Sequence, residues 1–106
     1  MLSFSVGDVT KAPPDREPFD SAWASHVFEH IVEPGPVLRG LRQWLKPSAH
    51  ILISVPLGHA YDDPSHVNHF RDTNELKAFL GKYLAVEQAK IEEKHQVIRA
   101  LCMFTS

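Results

Sequence analysis

The chain has 106 residues and a formal net charge of -2, with 43% hydrophobic and 23% charged residues. This composition is ordinary for a single globular domain, and it excludes a collagen-like, low-complexity or highly charged disordered chain. The mixed charges give no reason to expect a polyanionic partner, and no apolar run is long enough to span a bilayer. A lone cysteine, Cys102, permits no intrachain disulfide and fits a reducing compartment, so we expect one cytoplasmic domain over residues 1–106.

The first part of the chain is predicted to contain two strands. Apolar residues alternate over residues 2–6, which predicts a short strand, and the prolines of residues 11–18 predict a connector. The compact apolar run at residues 19–25 is typical of a buried parallel strand. Trp23, within that run, is expected to pack in the core. Residues 26–31 should form a helical turn.

The middle of the chain is predicted to form a helix and a central strand. Pro36 is suited to the first turn of a helix, and the apolar stripe of residues 37–45 continues it until Pro47. Residues 51–55 are apolar on both faces, which is typical of a central strand covered on both sides.

The last part of the chain is predicted to form a long loop, a helix and two strands. The irregular residues 57–72 make a loop of a length that is more often functional than accidental, and Thr73 can cap the helix after it. Residues 84–91 and 97–104 should form an antiparallel hairpin. The order of elements predicts an α/β sheet that is mostly parallel with an antiparallel C-terminal hairpin.

Four segments together resemble a known family. Residues 19–31 contain Phe-Asp, then an apolar strand, then Glu29-His30. This order resembles the fourth-strand motif of class I, Rossmann-like, S-adenosylmethionine-dependent methyltransferases. Residues 7–9 resemble that family's acidic turn after strand three. Residues 41–56 resemble its Lys-Pro turn with the fifth strand, and residues 66–80 resemble its stretch before strand six. The resemblance implies the C-terminal half of a methyltransferase sheet, with strands in the spatial order four, five, seven, six.

Two features of this family's pattern differ here. The turn at residues 46–49 reads Lys-Pro-Ser-Ala where the family has two glycines, so a positive φ there would be strained. Nothing in the chain resembles the family's first strand with its glycine-rich loop, which holds the methionine end of the cofactor. The resemblance therefore implies S-adenosylmethionine as cofactor, with weak affinity for this chain alone.

The resemblance also assigns candidate residues. Asp8 and Val9 match the family's adenine-binding segment, and Ser25 and His26 lie at the carboxyl end of the fourth strand, so these four are the candidate cofactor-binding residues. His26 and His69 are the candidate catalytic bases, since methyl transfer needs a base where the acceptor carries a proton. The alternatives are that Asp8 is an ordinary turn residue and that the histidines serve only structure.

A metal site is a further candidate, although the sequence commits to no metal. His26, Glu29 and His30 stand at i, i+3 and i+4, which places them on one face of a helical turn. Some RNA-methylating relatives are similar, with a Glu-x-x-Glu-His metal site, but the first position here is His26. The next loop offers further donors, namely His59, Asp62, Asp63, His66 and His69.

The predicted function is a methyltransferase-like domain that is inactive alone or depends on a partner. Without the family's first strand, the strand at residues 19–25 becomes an edge that recruits another chain. Three ways to cover this edge stay open: the strand at residues 2–6 of the same chain, a second copy, or a complementing polypeptide that carries the N-terminal half. We expect the homodimer; no membrane partner is indicated, and an RNA substrate stays open. The alternatives are a noncatalytic dimerisation or scaffold module and a small metal-binding domain that uses the histidines.

Overall fold

The computed structural model describes residues 17–105, which form one sheet with helices between its strands. The segments in chain order are β1 (Phe19–Ser25), a 3-10 turn (Phe28–His30), α1 (Gly35–Arg42), β2 (Leu45–Pro56), α2 (Thr73–Leu80), β3 (Leu84–Glu92) and β4 (Val97–Phe104). The strand predicted at residues 2–6 lies outside the described residues. Over residues 17–105, no helix has the length and apolar character needed to cross a bilayer.

The strand order confirms the predicted sheet. The four strands lie in the order β1-β2-β4-β3, which is the order that the resemblance implies. β1 pairs in parallel with β2, while β4 pairs antiparallel with both β2 and β3. β1, β2 and β3 therefore run in one direction and only β4 is reversed, because a short hairpin joins β3 to β4 whereas helices make the other crossovers. The α/β class and the antiparallel C-terminal hairpin are confirmed.

The core lies between the sheet and its two helices. Ile51 and Ile53 of β2 are completely buried, and α1 and α2 contribute Leu38 and Leu80, which are at most 2% exposed. Both helices are amphipathic, so each covers the sheet with one apolar stripe. Phe28 of the 3-10 turn joins the same cluster.

The opposite face of the sheet is more open, and here two predictions were wrong. Trp23 is 71% exposed instead of packed in the core, and five of the seven residues of β1 are exposed although a buried strand was expected. Trp23 lies beside Leu52, which lies beside Leu101, so the three form an apolar row across the sheet. The row faces away from the helices because neighbouring residues of a strand point to opposite faces.

β2 begins earlier than predicted. Pro47, which was expected to end a helix, lies inside β2, and α1 ends before it. The pairing jumps from Phe19 with Leu45 to Ser21 with His50, so residues 46–49 form a bulge where proline's missing N–H is tolerated. Non-glycine residues with positive φ occur at other positions in the described chain, so the strain anticipated for the Lys-Pro-Ser-Ala turn does not arise.

The helix starts differ slightly from the predictions. α1 begins at Gly35 with Pro36 in its first turn. The N-cap of α2 is Asp72 instead of Thr73, because the Asp72 carboxylate accepts a hydrogen bond from the Glu75 N–H at 2.9 Å. Aspartate and threonine are both good caps, so the sequence left the choice between neighbours open.

Candidate functional site

The candidate residues gather where β1 and β2 end. Ser25, the last residue of β1, lies beside Ser54 of β2, and the next residue, His26, donates its N–H to the Ser54 carbonyl at 2.9 Å. The segments after these two strands, residues 26–34 and 57–72, therefore meet at one edge of the sheet. In open α/β sheets, ligands bind outside this carboxyl edge.

His26 has an unusual backbone conformation. Its φ is 57°, in the left-handed region that a residue with a Cβ rarely adopts. Its ring packs edge-on against Tyr61 of the following loop, with centroids 5.4 Å apart. Strained conformations of this kind cost about 1–3 kcal/mol and persist only where the surroundings hold them, which is typical of functional sites.

Backbone hydrogen bonds fasten the long loop to the 3-10 turn. The Glu29 carbonyl accepts from the N–H groups of Val67 and Asn68, at 2.8 and 3.1 Å. The Asn68 side-chain amide donates to the carbonyls of Phe28, at 3.0 Å, and Ile31, at 2.6 Å. Loop residues and turn residues that are far apart in sequence are thus held in a fixed relation.

Glu29 is a buried carboxylate at the centre of this contact. Its side chain is 1% exposed, and neither oxygen has a hydrogen-bond partner among residues 17–105. Its Oε2 lies 3.6 Å from His26 Nδ1 and 3.7 Å from His30 Nε2. Glu29, His30 and His66 each offer a donor atom, and these three atoms lie within 4.8 Å of one another.

The ring of His30 is oriented by Ser65. His30 Nδ1 lies 3.2 Å from the Ser65 carbonyl oxygen and 3.0 Å from Ser65 Oγ. The Ser65 hydroxyl donates its proton to the Asp63 carboxylate, so both Ser65 oxygens act as acceptors for His30. Nδ1 therefore donates to Ser65, and Nε2 is the ring nitrogen that faces Glu29. The hydroxyl and N–H of Ser65 also hold the pKa of Asp63 below its ordinary value.

A second cluster lies in the loop itself. The Asp62 carboxylate lies at hydrogen-bond distance from His59 Nδ1, at 3.0 Å, and from His69 Nε2, at 3.1 Å. The rings of His59 and His69 stack with their centroids 4.1 Å apart. The hydrogen bond from His59 is the main reason that the pKa of Asp62 lies below its usual value. This cluster is more exposed than Glu29.

The predicted site residues fall into three groups. Asp8 and Val9 lie outside the described residues. Ser25 and His26 lie at the carboxyl edge of the sheet, and His26 lies next to Glu29. His69 belongs to the Asp62 cluster, so the two candidate bases have different partners.

Tyr61 and Ser65, which contact His26 and His30, were not among the predicted site residues. A tyrosine and a serine in a polar loop carry no distinctive spacing. Their roles appear only when the loop is folded against the 3-10 turn.

The family follows from comparison with known proteins. A family model described as a methyltransferase domain matches residues 3–100. The chain belongs to this methyltransferase family. The resemblance inferred from the four sequence segments is thereby confirmed for family and fold, and no curated protein matches the methyltransferase chain.

Solved structures support the same fold. TnmH is 18% identical with a TM-score of 0.72, and the match covers 97% of this methyltransferase chain and 35% of TnmH. NodS from Bradyrhizobium japonicum WM9, in complex with S-adenosyl-l-homocysteine, is 13% identical with a TM-score of 0.65; the match covers 98% of this chain and 55% of NodS.

A third match is the complex between the Haloferax volcanii Trm112 methyltransferase activator and a methyltransferase. It is 15% identical with a TM-score of 0.67, and the match covers 99% of this chain and 62% of that one. The chain thus spans between about a third and two thirds of the length of these three structures.

Proposed function

We propose that residues 1–106 form a single truncated domain that supplies the C-terminal half of an S-adenosylmethionine-dependent methyltransferase site and needs a partner chain to bind the cofactor well. The observation that carries the proposal is the strand order β1-β2-β4-β3. It leaves β1 at one edge of the described sheet, beside the position where the family has its first strand and glycine-rich loop.

The cofactor side of the proposed site is the carboxyl edge of β1. Ser25 and His26 lie there, and Asp8 and Val9 match the family's adenine-binding segment by sequence. The NodS structure contains S-adenosyl-l-homocysteine, which makes this the natural probe for the chain. A backbone amide near a left-handed residue can approach a ligand closely, and His26 provides that conformation.

His26 and His69 are the proposed bases. As the lone pair of an acceptor attacks the methyl carbon of the cofactor, the acceptor loses a proton to a nearby imidazole. Glu29 lies 3.6 Å from His26, and Asp62 lies 3.1 Å from His69, so each imidazole has a carboxylate beside it that can orient the ring.

Two features of β1 support dependence on a partner. Within the described sheet β1 pairs only with β2, so its second edge offers backbone groups to another chain. The apolar row of Trp23, Leu52 and Leu101 faces away from both helices. We propose that a second copy covers the β1 edge; a complementing polypeptide with the N-terminal half is the other outcome of the test.

A noncatalytic dimerisation module is the second candidate function. The same edge and apolar row favour it, since both would serve association without any cofactor. The two candidate functions differ in whether the associated chain binds S-adenosyl-l-homocysteine, which the cofactor becomes after it has given up its methyl group.

Calorimetric titration with S-adenosyl-l-homocysteine separates the two candidate functions. The titration is done at protein concentrations below and above the dimerisation midpoint, which sedimentation measures. We expect saturable heat in the dimer range and weakening by at least tenfold in a His26→Ala variant. The matched control is His95→Ala, since His95 is an exposed histidine that also pairs with a carboxylate, Glu92. A dimer that gives no heat would exclude cofactor binding by the homodimer and leave the noncatalytic module or the complementing polypeptide. A monomer that binds as tightly as the dimer would refute dependence on a partner.

A further inference from the structure

We propose that Glu29, His30 and His66 bind a first-row divalent metal ion such as Zn²⁺ at the carboxyl edge of the sheet. This site does not depend on methyl transfer, and it would exist equally in a noncatalytic module. Two imidazoles and one carboxylate form a donor set that suits zinc, and three protein ligands leave a coordination position open.

The buried carboxylate of Glu29 needs a partner, which a metal ion would supply. Glu29 is 1% exposed, and both of its oxygens lack a hydrogen-bond partner within the part of the chain that the structure describes. Removing an ionised carboxylate from water without a partner costs several kcal/mol, so buried charges are generally paired or coordinate metals. A cation between Glu29 and the neighbouring imidazoles supplies the missing partner.

The spacing of the donor atoms also fits a metal ion. Glu29 Oε2 lies 3.7 Å from His30 Nε2, which is longer than a hydrogen bond. Zinc bonds of about 2.0–2.1 Å place neighbouring ligands of a tetrahedron about 3.3 Å apart. The donor atoms of Glu29, His30 and His66 all lie within 4.8 Å of one another. Small side-chain rotations therefore bring all three onto one ion.

The orientation of the His30 ring also suits a metal ligand. Its Nδ1 donates to the Ser65 carbonyl at 3.2 Å, so Nε2 is the nitrogen that faces the Glu29 carboxylate. Metal-binding histidines generally donate their other N–H to a carbonyl or carboxylate in this manner, which fixes the ring.

The site is already assembled. The His66 side chain is 6% exposed, and its ring packs edge-on against His30 with centroids 4.7 Å apart. The residue after His66, Val67, donates its N–H to the Glu29 carbonyl at 2.8 Å. The loop thus holds His66 beside Glu29, and little ordering is needed when an ion binds.

The cluster of His59, Asp62 and His69 is the competing location. Its carboxylate has partners without an ion, since both histidines lie at hydrogen-bond distance from Asp62, at 3.0 and 3.1 Å. Asp62 is also 45% exposed, so water solvates it. Glu29 is 1% exposed and has no hydrogen-bond partner among residues 17–105, and for that reason we place the ion on Glu29.

The test is Zn²⁺ titration of the full chain after metal removal with a chelator, followed by calorimetry. We expect one ion per chain and a loss of affinity of at least about 100-fold in Glu29→Gln, which keeps the shape of the side chain and removes its charge. Glu87→Gln is the matched control, because Glu87 lies 3.7 Å from His50 at an exposed position and should leave binding unchanged.

Two further variants locate the ion. His30→Gln changes a side chain that is 38% exposed, so it should fold even if the buried Glu29 variant does not, and it should weaken binding by at least tenfold. His59→Gln, which changes an exposed histidine of the competing cluster, should bind as the unaltered chain does. Absence of Zn²⁺ binding by the unaltered chain would overturn the proposal, and so would loss of binding in His59→Gln together with full binding in His30→Gln.

Discussion

Two carboxylates near histidines have opposite environments in this molecule. Asp62 is solvated and hydrogen-bonded by His59 and His69, whereas Glu29 is buried and lacks such bonds within residues 17–105. The sequence places both among histidines, and the spacing of His26, Glu29 and His30 predicted their proximity correctly. Which carboxylate is buried could not be predicted, because burial depends on how the loop folds over the 3-10 turn.

The single cysteine lies in β4, the strand predicted at residues 97–104. Cys102 of β4 is completely buried beside Ile51 and Val86. Burial, with a smaller contribution from the negative charge of Glu87, raises the pKa of its thiol from 9.0 to about 11. The thiol therefore stays protonated in the folded chain at pH values where the unfolded chain has lost that proton.

This shift predicts a pH dependence of stability. Between pH 9.0 and about 11 the unfolded state binds fewer protons than the folded state, so the free energy of unfolding falls as pH rises. The loss attributable to Cys102 should reach about 2 kcal/mol at the upper end of this range. Urea unfolding of the unaltered chain and of Cys102→Ala, across this pH range, measures it as the difference in slope. Parallel pH profiles for the two proteins would contradict the prediction.

At the scale of the element, the local sequence predicts where the helices and strands lie, but it does not always predict the residues at which they begin and end. β4 has the predicted bounds of residues 97–104, and β3 extends the prediction by one residue. β2 extends six residues before its predicted start, through Pro47. A proline in a strand is locally unfavourable, so only the pairing of β2 with β1, and the bulge that it contains, accounts for this extension.

The cap of α2 gives a prediction at this scale. Asp72→Ala removes the acceptor of the Glu75 N–H and should lower the free energy of unfolding by about 1 kcal/mol. Asp72→Asn keeps an acceptor and should cost much less. Thr73→Ala is the control for the neighbour that the sequence also allowed as a cap, and it should have little effect. A larger loss in Thr73→Ala than in Asp72→Ala, measured by urea unfolding, would identify the wrong cap.

At the scale of the whole molecule, the open side of the sheet is the main feature. The helices cover one face, and the apolar row of Trp23, Leu52 and Leu101 lies on the other, next to the β1 edge. The prediction of a buried Trp23 was wrong because it assumed that both faces of β1 are covered. The absence of the family's first strand separately predicted that this strand would be an edge, and among the described strands it is.

The proposed association should change the surroundings of Trp23. In a Trp44→Phe variant, Trp23 is the remaining tryptophan of the two, and its 71% exposure makes it accessible to acrylamide. As protein concentration rises through the dimerisation range, we expect its emission to move to shorter wavelength and its quenching to fall. The converse variant, Trp23→Phe, reports on Trp44 and should show little change. Quenching of Trp23 that stays constant while sedimentation shows a dimer would place the interface elsewhere.

The sequence by itself determined the α/β class, because apolar patterning and the short connection between the last two strands restrict which elements can form. The family, and with it the strand order, came from the resemblance of four sequence segments to known methyltransferases. The sequence also placed the histidines and carboxylates at the carboxyl edge, since segments that follow parallel strands must meet there. Only the tertiary structure decided that Glu29 is buried and lacks a hydrogen-bond partner in the described chain, that Ser65 orients His30, and that Trp23 is exposed. Those properties arise from contacts between segments distant in sequence, such as Glu29 with Val67, which no local pattern specifies.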